Sequence, residues 1–585
     1  SSSKNGITTI NKGIFTSCKK TENCSPWSIK AEKVTHDKNK KQITYDNAVL
    51  RIYDKPVFYF PKFFHPDPTV KRQSGFLAPR LSNSNILGSS LRVPYYLAIS
   101  ESKDMTFSPT LFSKNIQMIQ TEYRHQYLNS SLITDFNLVN GYKSKNDNKK
   151  NLITHFFSKF KSNLNLKSFE RSSFNLDFYK VNKDTYLKLF DKNLSNSELK
   201  PENPDLLSSQ VKLDLEHSNY NLTTGFNSYE SLKKSNSDRY EFVLPYYNFS
   251  TNFFEESNLG ILNFLSTGDN ILKDTNNLRS RMINDINYES FDYISENGLK
   301  NNINFTLKNL IASGNNNNEY DSSPEIKLMG LFESQTSFPM ISKTLDNINY
   351  FNPKISFRFN PSDMSDHSAD NRRIYNNNLF DLNRLGFADT LEAGKSLTLG
   401  IDYKKEKIDD INKFFELKLG TIYRDENINE IPNNSTINKK KSNIIGTINN
   451  NFSKNISLNY EFSADNNLDK VDYNSIGTTL SLNNFVTSFN YVEENGKIGS
   501  TNFIENNTLY NFNDKSFVRF RTRKNREIDL TEYYDLIYEY KNDCLVAGIK
   551  YNKTYYRDRD LAPSEDLMFT IKLIPLTSFE QGIGK

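Results

Sequence analysis

The sequence predicts an all-β protein: one large antiparallel transmembrane β-barrel preceded by a small β domain. Three observations carry this. Period-two alternation of apolar and polar residues runs from about residue 75 to the end of the 585-residue chain. Apolar residues make up only 36%, yet 13% are aromatic, with 33 Tyr and 43 Phe; strands greasy on one face and ringed by aromatics at two interfaces have this composition. No uncharged apolar run reaches the roughly 18 residues that a spanning helix needs, and the most apolar stretches, Pro56 to Phe64 and Val93 to Ile99, are far shorter.

The first domain is expected over residues 1–66. Trp27-Ser28-Ile29-Lys30-Ala31, Ile43-Thr44-Tyr45, Ala48 to Ile52 and Val57-Phe58-Tyr59 read as short strands, separated by polar turns such as His36 to Lys40. The chain opens at Ser1 without Met, basic segment or apolar h-region, which reads as a mature or trimmed product.

Residues 67–585 are expected to form the barrel. Leu397, Leu399, Ile401 and Tyr403 alternate with Thr398, Gly400, Asp402 and Lys404; Ile456, Leu458, Tyr460 and Phe462 alternate with Ser457, Asn459 and Glu461; the last strand reads Leu567, Phe569, Ile571, Leu573. A soluble sandwich alternates in the same way over one segment. Length decides between them, because a pattern sustained to the chain's end with charged polar faces suits a closed wall around a watery lumen. At about 20 residues per strand and connection, the region from Gly75 onward allows on the order of 26 strands. Asn315 to Asn318 and Asn376 to Asn378 mark turns or long surface loops.

The charge balance argues against nucleic acid, since 74 Lys and Arg against 69 Asp and Glu leave a net +5 spread along the chain. Catalysis finds no support: the six His are scattered, and no HExxH, GxSxG or phosphate-cradling glycine loop stands out. No cofactor or metal is expected, and Cys18, Cys24 and Cys544 suit disulfide chemistry better than zinc. Arg519, Arg521 and Arg523 alternate with Val518, Phe520 and Thr522. They are lumen candidates, read first as a solvated face and second as contacts for sugar phosphates.

The segment Trp27 to Pro61, then Lys71-Arg72-Gln73-Ser74-Gly75-Phe76-Leu77-Ala78-Pro79 and Val93-Pro94-Tyr95-Tyr96, resembles the lipopolysaccharide-assembly family LptD. That family shows a Cys before a Trp-x-Ile-x-Ala strand, a Pro-Val-Phe-Tyr-x-Pro segment, an Arg-x-Ser-Gly-Phe-Leu-x-Pro first barrel strand and a Pro-Tyr-Tyr second strand. Asp104 to Pro109 and Glu122-Tyr123-Arg124 continue the match; Asn378-Leu379-Phe380, Asn383-Arg384, Asp389, Glu392 and Gly394 resemble its mid-barrel signature, and Asp543-Cys544 its C-terminal cysteine site. Two departures stand out. Leu545 follows Cys544 where the family commonly has a second Cys, and the N-terminal part of the lipid-binding jelly roll is absent.

The resemblance implies a periplasmic jelly roll, present in part, ahead of the barrel, and an outer-membrane translocon for lipopolysaccharide in a Gram-negative bacterium. Trp27, Ile29, Leu50, Ile52 and Phe58 become candidates for a lipid groove. Gly75, Phe76, Pro79 and Pro94 of the first strands and Leu567, Phe569 and Ile571 of the last become candidates for a lateral gate, with Ser74 to Leu81 expected to pair with Leu567 to Leu573. Cys544 is expected to bond Cys18, with Cys24 as the alternative. The implied partners are lipopolysaccharide, a plug lipoprotein of LptE type, a bridge protein of LptA type and the barrel-assembly machinery. The competing readings are a general porin or solute-uptake barrel with a permanently closed wall, and a repeat-built adhesin, for which no internal period is found.

Overall fold

The structure, a computed structural model, describes residues 2–18, 25–67, 70, 72–77, 79–143, 152–194, 197–234, 236–256, 259–496, 498–555, 561 and 563–573. Cys24, Lys71 and Ala78 lie outside them. Five strands open the chain: β1 (Ser2–Lys4), β2 (Ile7–Phe15), β3 (Trp27–Asp37), β4 (Gln42–Ile52) and β5 (Lys55–Pro66). They form an antiparallel sheet in sequence order. Register puts Phe15, Ile29, Leu50 and Phe58 in one cross-strand row and Gly13, Ala31, Ala48 and Phe60 in the next. One face is therefore apolar, as directly opposed residues share a side.

The barrel follows. It begins with β6 (Gly75–Phe76), β7 (Arg80–Ser84), β8 (Gly88–Arg92), β9 (Tyr95–Ser100), β10 (Lys103–Phe112) and β11 (Ile116–Gln126), and ends with Glu565–Leu573, which pairs back onto β7. Some crossings are interrupted, β6 with β7 and β8 with β9 among them, and the ring closes with 26 antiparallel strands. Hairpins at its ends turn through left-handed residues such as Asn115 and Asn483, a conformation Asn tolerates better than most residues.

Side-chain parity fits a lipid-facing wall. On Lys300–Asn315, Ile303 and Phe305 point out and are exposed, while Asn304, Thr306 and Lys308 between them are buried inward. On β10, Phe107 and Leu111 are exposed while Asp104, Ser108 and Thr110 are buried. A soluble protein would invert this pattern; an apolar outside and polar inside belong to a transmembrane barrel. Closure leaves no sheet edge to carry unpaired backbone groups into lipid.

The far end of the barrel, away from the N-terminal sheet, sends long connections back inside. Residues 182–194 and 197–205, with one helical turn at Tyr186–Leu189, bury Tyr186, Leu187, Phe190, Leu194 and Leu199 against Met118, Val139, Ile153 and Phe157 of the wall. Residues 361–393 and 425–443 share a second apolar core, with Leu379, Phe387, Ile428 and Ile437 at its centre. The Asn376 to Asn378 tract lies in the first of these: Asn376 donates its amide to the Lys418 carbonyl at 2.7 Å.

Candidate functional site at the barrel seam

The N-terminal sheet is fastened to the barrel where the last strands meet its near end. Cys18 is bonded to Cys544 across 526 residues of chain, with Cα atoms 5.1 Å apart. In chain-entropy terms a loop of that length is worth on the order of 5 kcal/mol. Trp27 is fully buried, and its Nε1 donates to the Cys544 carbonyl at 2.9 Å. Leu545 and Leu573 complete the same apolar cluster, and the Tyr53 and Tyr540 hydroxyls meet at 2.9 Å.

The sheet's apolar face thus runs toward the last barrel strands. Trp27 and Ile29 are buried at its barrel end, Leu50 and Ile52 are half-buried beside them, and Phe58 is 58% exposed on the same face. The Phe58 and Phe60 rings meet at a tilt with centroids 4.8 Å apart. Ile10 is also exposed, so the face is apolar and partly open. Deeper in, the Tyr45 hydroxyl meets His65 Nε2 at 2.8 Å, and burial holds that phenol above its ordinary range.

The wall closes through five described residue pairs, from Arg80↔Thr570 to Ser84↔Asp566. The preceding ladder, between Leu545–Thr554 and Glu565–Leu573, has nine. The expected pairing of Ser74 to Leu81 with the last strand is corrected: the described register is shifted to Arg80–Ser84, and Pro79 lies just outside β7. Gly75 and Phe76 pair with Tyr96 and Tyr95 of β9. Pro79 and Pro94 have no N–H to give a ladder, and each falls where its crossing is interrupted. Leu567 and Phe569 sit opposite Asn83 and Leu81 in the seam, and Ile571 continues their outward-facing row. At the far end Asn85 spans the seam, its backbone N–H donating to the Glu565 carbonyl at 3.1 Å and its amide to the Pro563 carbonyl at 2.9 Å.

Arg519, Arg521 and Arg523 share the side opposite Phe520, whose cross-strand neighbour Leu536 is exposed outward, so parity turns all three inward. Two already have acidic partners: Arg521 pairs with Asp535, and Arg523 with Glu532 at 3.1 Å.

The mid-barrel signature explains itself as a clasp. Arg384 and Arg424 both grip Glu392, and Arg358 bonds Glu333 at 2.7 Å while lying 3.6 Å from Glu392. All five side chains are buried, and Arg384 also donates to Thr398 Oγ1 at 2.9 Å. Buried ions must be paired this way or destabilise the fold. Gly394, at φ +78°, turns the chain back into the wall immediately afterwards. Asp389 accepts from the Tyr320 hydroxyl at 2.8 Å and lies 3.3 Å from His367 Nε2. Sequence reasoning missed Arg358, Glu333 and Arg424. The available signal was opposite charge at inward positions of neighbouring strands.

The sequence profile of the family described as LptD, LPS transport system D, matches residues 332–520, a span that contains this clasp. The chain is a relative of the LptD proteins. It is 28% identical over 265 residues to the LPS-assembly protein LptD of Pseudomonas putida, covering 43% of this chain and 27% of that one. It is 34% identical over 123 residues to the LptD of Pseudomonas aeruginosa, covering 21% and 13%. The matched part is thus about a quarter or less of either relative's length. Among solved structures, the alcaligin outer-membrane receptor FauA of Bordetella pertussis covers 93% of this chain and 81% of its own at 8% identity, with a TM-score of 0.30, too low to carry an argument. The LptD kinship and the closed, outwardly apolar barrel place the chain in an outer membrane.

Proposed function

We propose that this chain is the barrel-bearing part of a lipopolysaccharide translocon, which receives the lipid from a periplasmic bridge and releases it sideways into the outer leaflet. The observation that carries the proposal is the disulfide-fastened sheet whose apolar face leads to the last strand, where five described pairs close the wall. An amphiphile faces a simple physical conflict here. Its acyl chains cannot cross a watery lumen cheaply, since each buried CH₂ is worth about 0.8 kcal/mol, and its sugars cannot cross lipid. A groove for the chains beside a lumen for the sugars, joined by a seam that opens, resolves both. Trp27, Ile29, Leu50, Ile52 and Phe58 offer the groove; Pro79 and Pro94 weaken the first two strands where the seam must part; the inward arginines offer transient partners to phosphates. A plug lipoprotein in the lumen and a jelly-roll bridge protein on the sheet complete the reading by analogy with LptD relatives.

The test is a covalent seam. Asn83 and Leu567 face each other across it, so Asn83→Cys with Leu567→Cys, once oxidised, should stop delivery of newly made lipopolysaccharide to the cell surface. The same staple at Thr306 and Leu331, facing positions halfway round the ring, should leave delivery intact. Undiminished delivery with the seam quantitatively bonded would sink the lateral route and favour a closed-wall porin.

A further inference from the structure

The described residues 182–194 and 197–205 lie inside the barrel behind the seam, and their attachments are lopsided. On the first-strand side they are many. Tyr186 meets His155 Nδ1 at 2.6 Å and accepts from Asn137, which stands beside it on the wall; Ser197 donates to Asp135 at 2.6 Å; and Arg92 of β8 donates to the Asn193 carbonyl at 2.6 Å. Their base is pinned by Lys188–Asp205 at 2.7 Å and Arg239–Asp184 at 2.7 Å. Across the seam, Lys192 reaches the last strand through an ion pair with Asp566 at 2.5 Å, and Leu561 packs against the strap's apolar cluster. Asp566 belongs to the outermost pair of the seam ladder, opposite Ser84. Behind this point a recess of about 350 Å³ is lined by Ser84, Leu87, Lys188, Lys192, Leu561 and Asp566 among others, so the last strand has room to move relative to the strap.

We infer that residues 182–194 and 197–205 belong to a luminal strap, rigid on the first-strand wall, whose Lys192 holds the last strand and keeps the seam shut between openings. This rests on the reading that the seam is the part of the wall that opens. Five described ladder pairs, with Pro79 just outside them, hold weakly, and a partly buried ion pair reinforces the far end of that ladder next to the bonds of Asn85 to Glu565 and Pro563. An ion pair is also what a releasable catch requires. An apolar patch would release slowly, whereas an ion pair can be exchanged for water or for a passing phosphate, with which an ammonium makes an equally good contact.

Hydrogen exchange of the seam amides tests the strap without any lipopolysaccharide, so its outcome is separate from that of the transport reading. In the full chain, reconstituted in bilayers, Lys192→Gln should speed exchange at Arg80–Ser84 and Asp566–Thr570 about five- to tenfold, as expected for losing a partly buried pair. Asp566→Asn, the near-isosteric change on the strand side, should do the same and serves if Lys192→Gln does not assemble. The double variant should be no faster than either single one. Lys200→Gln, which removes a pair made within the strap to Asp191, should leave the seam unchanged. Seam exchange at the wild-type rate in both single variants, or equal acceleration by Lys200→Gln, would overturn the strap.

Discussion

Halfway round the ring from the seam, Lys300–Asn315 and Glu325–Ser337 share thirteen paired residues, against five across the seam itself. The two regions use the same alternating strands but are held differently. Behind the long ladders stand buried ions: Lys308 bonds Asp285 and the Ala388 carbonyl, each at 2.8 Å, and the Arg358, Arg384 and Arg424 clasp fixes the 361–393 connection beside them. Around the seam stand Pro79 and Pro94 in the interrupted first two crossings, a covalently tethered apolar sheet and the Lys192–Asp566 ion pair from the strap. A closed barrel needs no weak point for stability, so five described pairs at the junction beside the tethered sheet, against nine in the preceding ladder and thirteen halfway round, point to a use for that junction.

The largest change to this contrast should come from the tether. Cys544→Ser removes a cross-link worth on the order of 5 kcal/mol and frees the sheet from the seam. Trp27 is the only tryptophan in the chain, and it is buried against Cys544. Its fluorescence should therefore shift to longer wavelength and become open to aqueous quenchers in the variant. An unchanged spectrum would mean that packing alone keeps the sheet docked.

On the stiff side, Glu392→Gln should leave Arg384 and Arg424 without their shared carboxylate. Breaking a buried pair by removing one partner costs about 3 kcal/mol or more, so protease sites within 361–393 should open while the seam's exchange stays as it was. If the seam loosened equally, the two regions would be one cooperative unit and the contrast drawn here would fail.

The extent to which each region was legible in the sequence follows from how local its determinants are. The barrel was legible because each strand writes its own period-two pattern, and Cys18 was placed by the Trp27-x-Ile29-x-Ala31 strand that follows it. The seam register was not: Ser74 to Leu81 looked like the pairing segment, but stagger in a closed ring is set by the whole ring, and the described ladder falls on Arg80–Ser84. Lys192 and Asp566 carry no local signal either, because they lie far apart in the chain and only the closed ring brings them together. The mid-barrel signature lay between these cases. Arg384, Asp389 and Glu392 were visible as a motif, whereas Glu333, Arg358 and Arg424, the groups that give them meaning, lie on separate strands.

The smallest expected effect is on the same 361–393 connection and depends on pH. His367 stacks on Phe387 with centroids 3.9 Å apart, and sits between Asp370, 2.8 Å from its Nδ1, and Asp389, 3.3 Å from its Nε2. Burial pulls the imidazole's affinity for a proton down, but the two carboxylates outweigh it and hold the group above its ordinary value of 6.5. Asp389 mirrors this: burial pushes it up, while His367 and the Tyr320 hydroxyl bring it well below the usual carboxylate range. A raised histidine stabilises the fold fully below its unfolded value and loses that contribution as pH rises through the folded one; a lowered aspartate contributes above its unfolded value and loses that only in strong acid. The connection should therefore be best protected in mildly acidic solution and a few-fold less protected from proteolysis or hydrogen exchange at about pH 9 than at about pH 6. His367→Gln should flatten that difference and leave the seam alone. A pH response that persists unchanged in the variant would assign it to another group and detach His367 from the clasp.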